Sequence, residues 1–474
     1  MKIPGFIKRI DAISLVFIFP CLYWIYLLFH SQMVVVHDAK VYEMLGRMLY
    51  TQGWMEFFKT GPHNEPLYPL MIAFSMALAD KFHASYQSIQ TIEQIGFLFF
   101  TQILFYLMLK RLNIHKFIRA LVILYFGFSP ALVNSALSLW SEIITYPLVL
   151  GIIFVSSKAW IIIQRGDGRK ILFWAVCFAL LFVFLIFAKA LFEYLFYIYL
   201  LPFILLMMKA VMNKQKKILL ASLSFCLIVL SLVLSSTGIY KSINRHYNGH
   251  FTLTDRGPHL LYGNVMKRTQ PLTLRGFLAF LSWVPGEGVC HKFFDAQECG
   301  RWSFFRADYF GLNKLEELEA GLPKEMVYPQ LIRLAQEQIL KKPFQYIIFT
   351  GIEALKMFFW ESTRIGFVIY PTWLSNLYEC AWFKDGLRFM IFFLTVCAFL
   401  FLIKIVWQRR ADLISLDENN YTPMFFFMLL FISLSIGLYS CVVTIFPRYA
   451  FPLVPLYLIA IAYMAQHFVT KSCK

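Results

Sequence analysis

Charge is scarce in this chain. Of 474 residues only 15% are Asp, Glu, Lys or Arg, and 59% are hydrophobic; a soluble globular domain carries about 25% charged residues. With 51 Phe and a mean hydropathy of +0.63, that shortage excludes an ordinary water-soluble domain and leaves an all-α polytopic membrane protein. Acids are the scarcer sign: 27 Asp and Glu stand against 44 Lys and Arg, a net charge of +17. The basic residues fall in short clusters between apolar runs. That is the pattern of the positive-inside rule, so they are assigned to cytoplasmic loops and anionic lipid headgroups, with no nucleic acid as partner. There is no Gly-rich phosphate loop, which excludes the usual nucleotide-binding folds. Inverted repeats, heptads and low-complexity linkers are also missing.

The apolar run at 13–29 follows Lys2, Lys8 and Arg9 and has no small-residue cleavage site after it. It reads as an uncleaved first span with its leading end in the cytoplasm. Further spans are expected at 87–109, 117–137, from Glu142 to the basic loop at 164–170, and at 171–188, 191–210, 218–236, 388–406, 422–444 and 453–469, about ten in all, with both ends of the chain cytoplasmic. The run at 66–79 is too short to cross comfortably and reads as a juxtamembrane or re-entrant helix. The organisation is then an N-terminal transmembrane bundle (1–239) whose first outer loop spans 32–86, an extracytoplasmic region (240–365), and C-terminal transmembrane helices (366–474). The extracytoplasmic region opens with turn-rich sequence. It continues with a helix placing Val327, Leu331, Leu334 and Ile339 on one face, and closes with a juxtamembrane helix over 343–365 that includes Glu353, Lys356, Glu361 and Arg364. Most of the nine cysteines lie in apolar segments and act as small hydrophobes. Cys290 and Cys299 lie in the polar region and are either a disulfide or two free thiols.

On this frame the chemistry-bearing residues gather at one side. Asp38 emerges just after the first span, in HDAKVYEML (37–45). It opens a helix with Val41, Leu45, Met48 and Leu49 on one face. It reads either as an N-cap or as a reactive acid at the mouth of the bundle. Glu142, in SLWSEIITYPLVL (138–150), begins a span; there a carboxylate also suits the helix dipole. Lys189 and Glu193 are four apart and read as an ion pair on one helical face, or as a lysine offered to an anionic headgroup. RGPHLLYGNVMKR (256–268) holds Arg256, His259, Lys267 and Arg268, which can bind phosphate or form a solvated loop. Arg448, in TIFPRYAFPLVPLYLIA (444–460), is costly at a span's edge unless it meets water or an anion. It is the best phosphate clamp in the chain, the bland alternative being snorkelling to headgroups. Glu93 stands apart as an acid inside a span, read as a buried, satisfied group.

Together these segments resemble the GT-C type membrane glycosyltransferases, nearest to the protein O-mannosyltransferase and aminoarabinose transferase group. Asp38 matches that family's catalytic acid in the first outer loop. GPHNEPLYPLMIA (61–73) is similar to its Gly followed by Pro-Leu-Tyr-Pro. Glu142 matches a second acid in the second outer loop, and FPRYAFPLVP (446–455) matches a C-terminal Arg-Tyr with prolines. The resemblance implies a GT-C-like bundle and an inverting transfer of a sugar from a polyprenyl-phosphate donor to a lipid, glycan or protein acceptor at the extracytoplasmic face. Asp38 would be the general base and Glu142 its helper. Arg448, then Lys189, Arg256 and Arg268, would hold the phosphate, with His37, His63, Glu65, Tyr68, His259 and Tyr449 along the substrate loops.

The first loop has His37–Asp38 where metal-dependent relatives have paired acids. No cofactor or metal is therefore required on this reading, and a divalent metal stays open: His37, His63 and Glu65 could form a site with Asp38, but no metal-ligand spacing supports it. The one Asn-X-Ser/Thr sequence, Asn420-Tyr-Thr, falls on an expected cytoplasmic loop, which favours a bacterial inner membrane. Two other readings fit the composition. An O-antigen polymerase or ligase would put its key residues in the large loop, at Arg256, His259 and Arg268. A lipid-linked sugar flippase would need acids or broken helices at the bilayer midplane.

Overall fold

The structure is a computed structural model and describes residues 12–61, 64–363, 367–415 and 420–472. His63 and Arg364 lie outside the described residues. Among the described residues eight helices are long and apolar enough to cross a membrane: Tyr86–Arg111, Glu142–Arg165, Lys170–Ala188, Phe192–Met212, Lys216–Asn248, Ala381–Gln408, Thr422–Val442 and Pro447–Thr470. A bent pair raises the number to nine, and Val16–His30 is apolar but shorter. The chain is an integral, multi-pass helical membrane protein. Its spans form where the apolar runs do because only a helix satisfies every backbone amide within a lipid environment.

Proline breaks one of the expected spans and interrupts a second without ending it. The run at 117–137 is Lys116–Phe128 followed by Pro130–Leu137, bent by 45°. Pro130 has no amide to bond back and its ring obstructs the preceding turn. The Ser129 hydroxyl caps the new helix at Leu132 N and donates to the buried carboxylate of Glu361 at 2.7 Å. Glu361 also accepts from Ala131 N at 3.0 Å and from the Tyr125 hydroxyl. Phe192–Tyr199 and Leu201–Met212 meet at Leu200, with Pro202 in the first turn of the second, and still run on as one span, Phe192–Met212. The juxtamembrane helix expected over 343–365 stops early: Pro343–Leu355 passes into a 3-10 turn, Lys356–Phe358, and Glu361 lies beyond it.

The polar region is more helical than its glycines and prolines suggest. Residues read as turn-rich form Gly257–Thr269, and Phe304–Gly321 and Lys324–Lys341 pack against it. Gly263 and Gly311 are not turn residues. A Cβ on Gly263 would lie 2.0 Å from the carbonyl oxygen of Ala307, and one on Gly311 would lie 2.4 Å from that of His259. The two helices touch backbone to backbone there. Val327 and Leu331 are buried, as their spacing predicts. Cys290 and Cys299 form a disulfide within a small core of Phe280, Trp302 and Phe349.

The crossing gives a prediction whose sign separates packing from propensity. Ala is the better helix former than Gly by about 1 kcal/mol. Against a rigid carbonyl, overpacking costs about 1–3 kcal/mol. Gly263→Ala is therefore expected to lower the thermal unfolding midpoint of the detergent-solubilised protein. A raised midpoint would mean that the helices are not in contact.

Candidate functional site

The site is built from segments far apart in sequence. A short antiparallel ribbon pairs Gln32 with Ile369 and Met33 with Val368, and Val34 N donates to Phe367 O at 2.7 Å. The chain then turns through His37, whose φ of 49° is a left-handed value rare outside glycine. Its ring centroid lies 5.5 Å from that of Phe367. The helix Asp38–Thr51 follows, with His37 at the N-cap position and no side-chain cap. Asp38 does not cap this helix. Its Oδ2 accepts from the Arg448 guanidinium, and its Oδ1 is 3.7 Å from Arg256 Nη2. Leu45 and Leu49 are buried beneath this helix, with Val41 and Met48 at its margin.

Three aromatic rings hold the Arg448 guanidinium: Trp140 at 5.6 Å, Phe446 at 5.8 Å and Tyr449 at 5.6 Å. Cation–π contact with several faces fixes a planar cation without spending its hydrogen-bond donors. Arg256 stands at the start of Gly257–Thr269 and donates to Asn64 Oδ1 at 2.6 Å. Burial would raise the Asp38 carboxyl. The charges of Arg448 and Arg256 outweigh it and hold the group below the ordinary carboxylate range,.

Beside this trio lies a second pair. Lys189 Nζ is 3.0 Å from Glu142 Oε1, so the expected Lys189–Glu193 pair does not form. Lys189 has extended backbone, at φ −153° and ψ 107°, between two helices, which destroys the i,i+4 geometry. Glu193 instead bonds Lys241 at 2.5 Å. Glu142 is the first residue of Glu142–Arg165. Burial opposes the Lys189 charge, but Glu142, with Tyr42 and Glu65, raises its proton affinity well above the ordinary lysine range. Glu65 accepts from Ala190 N at 2.7 Å and so braces the turn that carries Lys189. Tyr42 bonds Ser141 Oγ at 3.1 Å and meets Tyr68 edge-on at 4.9 Å. Tyr68 is fully buried and donates to Gln94, making it floor rather than loop. Tyr449 stacks on Tyr439 at 5.3 Å.

Two sequence candidates lie elsewhere. Arg268 is fully buried at the far end of Gly257–Thr269. It donates to Thr350 Oγ1 at 2.7 Å and to Val443 O at 3.3 Å. His259 belongs to the helix crossing, with its carbonyl against Gly311. Glu93 takes a hydrogen bond from Ser75 at 2.8 Å through one oxygen, while its other oxygen has no partner; it is not the fully satisfied group expected.

Arg268 is part of a cluster that local sequence reading did not assemble. Lys267 Nζ donates to Glu353 Oε1 at 3.1 Å and to Thr444 Oγ1 at 2.6 Å. Lys356 Nζ reaches the same Glu353 oxygen at 3.1 Å, and Glu353 Oε2 accepts from Ile445 N at 3.0 Å. Burial would raise the Glu353 carboxyl, but Lys267, Lys356 and Arg268 hold it well below its ordinary range. Burial pushes the Lys267 amine down to about 7. The cluster anchors residues 443–445, immediately before Pro447–Leu453, the turn that presents Arg448.

A third acid, Asp308 on Phe304–Gly321, faces the same charges. Burial, opposed by Arg256 and assisted by Asp38, raises its carboxyl to about 6. No local motif marked it. Among the described residues no group of three His, Cys, Asp or Glu could hold a metal.

Comparison with protein-family models and with curated proteins finds no match. The site must therefore be read from its own geometry: a carboxylate shared by two arginines, a buried lysine–glutamate pair beside it, and aromatic walls.

Proposed function

We propose that the chain is an inverting membrane glycosyltransferase that moves a sugar from a polyprenyl-phosphate donor to a lipid, glycan or protein acceptor at the extracytoplasmic face. The observation that carries this reading is the meeting of Asp38 with Arg448 and Arg256 at the bundle's edge. An acid and two fixed cations in one place are what a displacement with a phosphate leaving group requires. Asp38 takes the proton of the acceptor hydroxyl while that oxygen bonds to the anomeric carbon. The bond from that carbon to the phosphate oxygen breaks, its electron pair leaves with the phosphate, and Arg448 and Arg256 bear the new charge. A single displacement inverts the carbon. Lys189 and Glu142 orient the groups around it, and the chemistry needs no metal. The Cys290–Cys299 disulfide supports an oxidising, extracytoplasmic side for the polar region, as in a bacterial inner-membrane enzyme serving a cell-envelope glycan. The burial of Arg268 disfavours a polymerase whose chemistry runs through Arg256, His259 and Arg268 together.

The test is transfer of radiolabel from a pool of polyprenyl-phosphate sugars by the full-length protein in proteoliposomes. Label is expected to leave the donor, and Arg448→Gln is expected to lower kcat/KM for donor about a hundredfold, the scale of losing one preorganised charge-stabilising group. If wild-type protein moves no sugar from any such donor, the reading fails and a flippase assay comes next.

A further inference from the structure

The same geometry contains a conflict. A general base must be free to accept a proton, yet Asp38 bonds Arg448 and lies 3.7 Å from Arg256. A carboxylate so held is a poor base. We infer that Asp38 and the anionic group of a bound substrate compete for the same two guanidinium groups, Arg256 and Arg448, so that the carboxylate is released as a base only when a phosphate ester has taken its place. The identity of that anion rests on the transferase reading.

Charge and construction support the competition. Asp38, Arg256 and Arg448 together carry one positive charge in excess. Two of the other acids nearby are engaged elsewhere, Glu142 by Lys189 and Glu65 by Ala190 N. Both arginines are held by groups that do not depend on Asp38, Arg448 by three rings and Arg256 by Asn64. The carboxylate can therefore leave without the cations moving. The Asp38 side chain keeps 28% of its exposure and Arg448 keeps 20%, so the pair is open to a ligand rather than sealed. A phosphate matches guanidinium geometry as well as a carboxylate does and brings an equal or larger charge. Donor binding then precedes release of the base, and the acceptor hydroxyl is deprotonated only when a leaving group is in place.

The test is equilibrium binding of farnesyl phosphate to the detergent-solubilised full-length protein, with farnesol as the neutral arm and inorganic phosphate as the unanchored one. Competition predicts that Asp38→Asn binds farnesyl phosphate about tenfold tighter than wild type, within the usual range of coupling between two sites. It predicts no change for farnesol. Glu43→Gln, which removes a carboxylate of the same helix that bonds Arg47 instead, is expected to leave the affinity unchanged. The gain should also shrink when Asp38→Asn is combined with Arg448→Gln. If Asp38→Asn binds farnesyl phosphate no tighter than wild type, or if Glu43→Gln gains as much, the inference is overturned. Inorganic phosphate bound as tightly as farnesyl phosphate would overturn a lipid-linked donor as the competitor. No sugar moves in this experiment. Tightening without transfer activity would sink the transferase reading alone, and transfer without tightening would sink the competition alone.

Discussion

Asp38→Asn is expected to lower the rate of sugar transfer about a thousandfold while leaving the protein folded and inserted, within the 10²–10⁴ range of a positioned general base. The substitution keeps the shape of the side chain and an acceptor oxygen for Arg448 but removes the ability to take a proton. Little stability should be lost. Asp38 makes no cap bond to its own helix, and a partly exposed ion pair contributes only about 0–1 kcal/mol. The pH dependence has a definite sign. The folded-state carboxyl lies below the ordinary aspartate value of 3.8. Its stabilising charge is thus fully present above that value and is lost only as pH falls through the folded one. A comparison at neutral pH therefore reads chemistry, with an unchanged unfolding midpoint as the control. A variant that transfers sugar at the wild-type rate would remove Asp38 from the mechanism and point to Asp308 as the next acid to replace.

Glu353→Ala is expected to have the largest effect on stability, about 3–5 kcal/mol, because it leaves buried cations without their counter-charge. Lys267, Arg268 and Glu353 have no exposed surface, and Lys356 has almost none. The change also strips Ile445 N of its acceptor, and with it the brace on the segment leading to Arg448. The measurement is the thermal unfolding midpoint of the solubilised protein together with its yield in the membrane. A second variant guards against simple failure to express. Glu353→Leu with Lys267→Met removes one charge of each sign and keeps the volume filled, so it should recover part of the loss. Equal midpoints for Glu353→Ala and wild type would show that the cluster is solvated or that its charges are balanced another way.

What could be read from the sequence follows from which forces are local. A run of apolar residues long enough to cross a bilayer must become a helix wherever it sits, because lipid offers its amides no partner. The multi-pass helical class, most span positions, Asp38 and Glu142 at helix starts and the pairing of Cys290 with Cys299 as one option were accordingly visible in the chain itself. The tertiary structure decided the rest, because partners were chosen across the fold. Arg256 and Arg268 looked equivalent in one basic segment. Twelve residues of helix at about 1.5 Å per residue separate them by about 18 Å, which leaves one facing Asp38 and the other sealed against Thr350. Lys189 and Glu193 had the spacing of a helical pair, but a break between helices turned Lys189 toward Glu142. Gly263 lay in a stretch with the composition of a turn and serves instead, with Gly311, as the contact of two helices. Asp38 and Arg448 lie 410 residues apart, and only the packing of the bundle makes them one site.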